Sequence, residues 1–252
     1  MDVTIRQGWF RAGSPFGQAT LLSAVITALA VSVLFGPNGQ SVLFLLGVGI
    51  TFGGYLLVLW LVLQRAAVQV DNPVLTLASR ITAIRATGAV LLGGFIVAGT
   101  GAETANWLPA VLFAAVAALD GIDGYVARRM DETSTFGGEF DTQVDAFAIL
   151  IGTIVAVRLG AAPAVFVAIG LYQYVFFLGK KLRQHKGYAV HDLPPRKRRT
   201  YVGATSMIAV FVVLLPGVPS GVTWFLAVIA MIPITYSFAV DWLYAIGWMS
   251  HT

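Results

Sequence analysis

DGIDGYVARRMDETSTFGGEFDTQVD, running from Asp120 to Asp145, is the stretch whose reading decides what this chain is. It holds seven of the twelve acidic residues: Asp120, Asp123, Asp131, Glu132, Glu139, Asp141 and Asp145. Asp120 and Asp123 are three apart, and Asp141 and Asp145 are four apart. At about 100° per residue, each pair falls on one face of a helix. Gly124 and Ala127 share the face of the first pair and Gly137 that of the second, so little bulk stands beside either. Such faces suit a pocket in which a ligand approaches the backbone. Four carboxylates gathered at a membrane would repel one another and lose hydration, so they would take up protons or hold cations. Hard divalent cations prefer oxygen ligands, and two of them balance four carboxylates. Paired metals also serve displacement at phosphorus. The residues alone therefore point to a divalent-metal site, binuclear, acting on phosphates.

Outside this stretch the chain is apolar. Of 252 residues, 58% are hydrophobic and only 11% are charged. A soluble domain carries about 25% charged residues, so most of this chain faces lipid or packs inside a bundle. With no cysteine there is neither a disulfide nor a thiolate metal site. The net charge of +4 does not imply nucleic acid, because the basic residues cluster by loop. The N-terminal segment, with Arg6 and Arg11 before an apolar run, lacks the features of a cleavable signal.

A membrane-crossing helix needs about 20 apolar residues. Eight candidates follow, at about 18–36, 41–64, 75–99, 106–130, 137–159, 163–179, 200–216 and 221–247. The expected architecture is all-α, a polytopic membrane bundle of about eight transmembrane helices. Pro73 suits the first turn of the third element. In this arrangement 15 of the 16 Lys and Arg residues fall on one side, and only Arg158 falls on the other. The positive-inside rule then makes both termini, the 180–199 loop and the acidic stretch cytoplasmic.

The pattern Asp120-x2-Asp123-Gly124-x2-Ala127-Arg128-x8-Gly137-x3-Asp141-x3-Asp145 matches, at every fixed position, the signature of the CDP-alcohol phosphotransferase (phosphatidyltransferase) family, which the chain resembles. Thr82-x2-Arg85 resembles the start of that family's first core helix. Lys197 to Thr200 loosely resembles the basic-plus-threonine start of its fifth. The resemblance implies a six-helix core over 71–252. It leaves 1–70 as an interfacial segment and two extra transmembrane helices.

Further implications follow from the resemblance. The reaction would move a substituted phosphate from a CDP-alcohol to a second alcohol and release CMP, in phospholipid synthesis. Asp120, Asp123, Asp141 and Asp145 would hold two Mg²⁺ ions, with Mn²⁺ as a substitute, and Asp145 would also be the catalytic base. CDP would lie on Asp120, Asp123, Gly124, Ala127, Arg128 and Gly137. Arg85, Lys197, Arg199 and Thr200 are candidates for the acceptor or a lipid headgroup. A homodimer in the cytoplasmic membrane is implied as well.

The preferred substrates are a CDP-diacylglycerol-like donor and a polyol phosphate, because the basic loop suits an anionic acceptor. Serine or another neutral acceptor is one alternative; a soluble CDP-alcohol with a lipid alcohol is another. A cation- or proton-coupled transporter is the competing class. Against it, the four Asp residues cluster at one end, and the halves show no matching broken helices. Asp241, near the inner end of the last span, either snorkels or pairs with a basic residue. Tyr172 and Gln173 make the sixth span polar enough to line a pocket.

Overall fold

The computed structural model describes residues 14–35, 42–66, 76–99, 107–130, 135–191, 193 and 197–249. Helix accounts for 86% of them, and none is in a strand. The helices are α1 (Pro15–Phe35), α2 (Val42–Ala66), α3 (Leu77–Leu92), α4 (Gly94–Ala98), α5 (Leu108–Met130), α6 (Thr135–Arg158), α7 (Val167–His185), α8 (Lys197–Leu214) and α9 (Ser220–Ala245). A single 3₁₀ turn, Ala164–Phe166, leads into α7.

Among the described residues, six segments are long and apolar enough to cross a membrane: Phe16–Val33, Val42–Val62, Leu77–Ala98, Gly137–Arg158, Ala164–His185 and Ser220–Ala245. The sequence led us to expect eight. The other two apolar stretches, Leu108–Ile122 in α5 and Tyr201–Leu214 in α8, are shorter. Both belong to longer helices, of 23 and 18 residues, that carry charge at one end. Asp120, Asp123, Arg128 and Arg129 occupy the end of α5, and Lys197, Arg198 and Arg199 the start of α8. Both helices continue through residues that hydrocarbon disfavours.

Two further differences have local causes. The third expected span breaks at Gly93, between α3 and α4. A Cβ there would overlap the Thr51 side chain of α2, so a glycine lets α2 press against the break. Phe44 of α2 meets Phe95 of α4 edge to face, with ring centroids 5.2 Å apart. The sixth expected span, in α7, runs on to His185, past its expected end near 179. Lys180, Lys181 and Arg183 extend the helix without penalty because their stems can lie along it while their charges reach water. Pro73 lies outside the described residues; α3 is instead capped by Thr76, whose hydroxyl accepts from Ser79 N at 3.1 Å.

Interior and rim separate clearly. The spans of α3–α4 and α6 are 67% and 61% buried, whereas those of α1, α7 and α9 are 17–22% buried. α3 packs most extensively on α5 and also on α6 and α1. α1 turns a stripe spaced by four residues, Leu21, Val25, Leu29 and Val33, outward, where a bilayer would cover it. Inward it sends Ser23, whose hydroxyl donates to the Ala83 carbonyl at 3.2 Å and lies 3.1 Å from the Tyr55 hydroxyl of α2.

Candidate active site

Three interior helices build the site. α5 supplies Asp120; α6 supplies Asp141 and Asp145, one turn apart; α3 supplies Arg85. One oxygen from each of the three carboxylates lies within 4.8 Å of the others. The Arg85 side chain is fully buried, while those of Asp120, Asp141 and Asp145 are 35%, 42% and 33% exposed. Its Nη1 donates to Asp120 Oδ1. Its Nη2 donates to Asp141 Oδ1 at 2.5 Å and lies 2.7 Å from Asp145 Oδ1. Nη2 also reaches the Asp141 carbonyl at 3.4 Å.

The arrangement follows from cost. A guanidinium two turns into an apolar helix would be prohibitive alone, and so would three carboxylates at a helix junction. Each offsets the other, and the exposed side of the carboxylates stays open. The chemistry of the donor set fits a hard divalent cation: oxygen-only, anionic and convergent. Asp120, Asp141 and Asp145 are the described residues that can hold one. Glu139, on the same helix, is turned elsewhere, and its Oε1 accepts from Gln143 Nε2 at 3.1 Å.

Beside the triad a cavity of about 530 Å³ opens between α6, α7, α8 and α9. Asp145 is on its wall, so this one carboxylate belongs to both the triad and the cavity. Polar lining comes from Thr142, Gln173, Ser206, Ser237 and Asp241; Ile149, Phe176, Ile234 and Phe238 are among the apolar walls. An aromatic ladder joins α7 to α9 here. Tyr172 stacks on Phe238 at 4.6 Å, and Phe176 meets Phe238 and Trp242 edge to face. The Tyr172 and Thr235 hydroxyls are 2.7 Å apart.

Of the residues singled out from sequence, the structure brings together Asp120, Asp141, Asp145 and Arg85. Gly137 sits one turn before Asp141, in the first turn of α6, and is partly buried. Asp123, Gly124, Ala127 and Arg128 lie in α5, and Lys197, Arg199 and Thr200 lie in α8, but their side chains fall outside the described residues. Arg85 was a candidate for the acceptor or headgroup; it lies under the carboxylates. Its depth in an apolar helix was the available signal, since a buried cation demands a counter-charge. Tyr172, Gln173 and Asp241 all reach the cavity wall.

At the opposite end of α6, Arg158 Nε donates to the Ile96 carbonyl at 3.1 Å, and Trp224 Nε1 donates to the Gly160 carbonyl at 3.0 Å. In a comparison with known protein families, the family model described as CDP-alcohol phosphatidyltransferase matches residues 75–239, more than half the chain. No curated protein and no solved structure matches.

Proposed function

Because this chain belongs to the CDP-alcohol phosphatidyltransferase family, we propose that it transfers a phosphatidyl-type group from a CDP-lipid to an alcohol at the Asp120–Asp141–Asp145 cluster. The family is metal-dependent and makes the chain a membrane-embedded transferase that releases CMP. The observation that carries the finer reading is the double position of Asp145, in the triad and on the cavity wall. A base there sits between the phosphate to be attacked and the chamber that would admit the attacking hydroxyl. General-base action requires hydrogen-bond reach of that hydroxyl.

Divalent metal held by Asp120, Asp141 and Asp145 would neutralise charge on the phosphates and on departing CMP. Asp123, three residues after Asp120 on the same helical face, would complete the ligand set for a second Mg²⁺. Gly124, Ala127, Arg128 and Gly137 would receive the nucleotide. Asp145 would take the acceptor proton, and the apolar cavity walls would limit competing water. α1 and α2 are additions preceding the catalytic core, which is consistent with a family match that begins at residue 75. The triad end would face the cytoplasm, because the basic residues of α7, Lys180, Lys181 and Arg183, lie toward that same end. A homodimer completes the reading.

The basic run from Lys180 to Arg199 supports a polyol phosphate as acceptor. A specific observation favours a second reading, a neutral hydroxylated acceptor such as serine. The described cavity lining includes the carboxylates of Asp145 and Asp241 and contains no Lys or Arg. The experiment is an acceptor screen with purified protein, radiolabelled CDP-diacylglycerol and Mg²⁺, with product mass as readout. Metal-dependent CMP release with one acceptor class is the expected result. If no alcohol in the panel elicits CMP release, the proposal fails.

A further inference from the structure

We propose that Arg85 is the resident counter-cation of the site: it holds Asp120, Asp141 and Asp145 convergent before a metal ion arrives. The idea rests on reading these carboxylates as metal ligands. Three observations carry it. Arg85 is wholly buried while the three carboxylates keep about a third or more of their surface exposed, so the guanidinium forms a floor and the open side remains available. All three contacts use one oxygen, Oδ1, of each carboxylate, which leaves a second oxygen on each for another cation. Among the described residues, three carboxylates and one guanidinium leave two formal negative charges, enough to attract a first divalent ion.

The partners come from two helices, so the arginine on α3 also ties that helix to α5 and α6 at their acidic ends. Without it, the carboxylates would repel one another across a partly buried junction, where screening by water is weak. The metal-free site would open, and a divalent ion would then have to reassemble it. Arg85 is thus a positioning residue, acting through the ligands rather than on substrate. A mere packing role predicts something different: a loss of stability that does not depend on metal.

The test uses the full chain in detergent. Melting temperature is measured in EDTA and in saturating Mn²⁺, and Mn²⁺ binding is followed by electron paramagnetic resonance. Arg85→Met keeps an unbranched stem and removes the charge. It should melt several degrees below the unaltered protein in EDTA, and Mn²⁺ should close more than half of that gap. Arg85→Lys, with a cation but no planar fork, should fall between them. Arg80→Met, an exposed position on the same helix, should follow the unaltered protein in both conditions. Equal gaps with and without Mn²⁺, or no gap at all, would overturn the proposal. If Arg85→Met yields no folded protein, Arg85→Lys is judged by the same rule. Absence of Mn²⁺ binding to the unaltered protein would sink both the metal reading and this proposal. Binding without closure of the gap would sink this proposal alone.

Discussion

The two sides of Asp145 are built on different principles. On one side three carboxylates and a buried guanidinium sit in direct ionic contact, fixed by the most interior helices of the bundle. On the other, a cavity of about 530 Å³ is lined by polar atoms from four helices, with an aromatic ladder rather than close helix packing joining α7 to α9. The first side has few degrees of freedom, because moving any member strands a charge. The second can change a lining residue at the cost of a hydrogen bond or a little apolar area. On the proposed reading chemistry is thereby separated from recognition, and Asp145 touches both.

Breaking that shared residue should have the largest effect. Asp145→Asn retains shape and removes the proposed base. Turnover is expected to fall at least 10²–10⁴-fold, the usual worth of general-base assistance, while CDP-lipid binding persists in an equilibrium assay. Asp131→Asn and Glu132→Gln, outside the signature, serve as controls and should be nearly silent. Were these controls inactive and Asp145→Asn active in a metal-dependent assay, the site would have been assigned to the wrong carboxylates.

A smaller effect is expected on the recognition side, and it separates the two acceptor classes. If the acceptor is neutral and hydroxylated, Asp241→Asn should raise the acceptor KM about tenfold, in line with a lost hydrogen bond to a charged group. The KM for CDP-lipid should stay unchanged. For a phosphorylated acceptor, Asp241→Asn should leave the acceptor KM unchanged or lower it, and neutralising Lys197 with Arg199 should raise it. Steady-state kinetics with both substrates varied distinguishes these outcomes.

The same contrast governs how much could be read in the sequence. The helices were legible because apolar runs of membrane length announce themselves, and the carboxylates because spacings of three and four mark a helical face. Triad residues on consecutive helices need only a short connection to meet. The Arg85 contacts lie 35 and 56 residues away, on helices whose packing no local pattern encodes. The break at Gly93 was hidden for a similar reason: the Gly93-Gly94 pair suggests weakness, but Thr51 and Phe44, which press against it, come from another helix. The cavity is the extreme case. Thr142, Gln173, Ser206 and the Ser237–Asp241 pair come from four different helices, and only tertiary packing gathers them.

The smallest expected effect probes whether the outer scaffold is separable from the chemical core. Tyr55 is fully buried on α2, and its hydroxyl lies 3.1 Å from Ser23 of α1. Ser23 in turn donates to the carbonyl of Ala83, two residues before Arg85 on α3. Ser23 has a single proton, which Ala83 receives, so the tyrosine is the natural donor to Ser23. Tyr55→Phe deletes that donor, keeps the ring contact with Phe147 and leaves the Ser23–Ala83 bond intact. No donor is stranded. Inter-helix hydrogen bonds within membranes average about 0.6 kcal/mol in double-mutant cycles, so melting temperature should drop only slightly and turnover should stay within about twofold. A drop in turnover above about tenfold with little change in melting temperature would mean that α1 and α2 act on the carboxylates through the Ala83–Arg85 segment. Helices α1 and α2 would then belong to the machinery, and the division between a rigid chemical side and a tolerant remainder would have to be redrawn around α3.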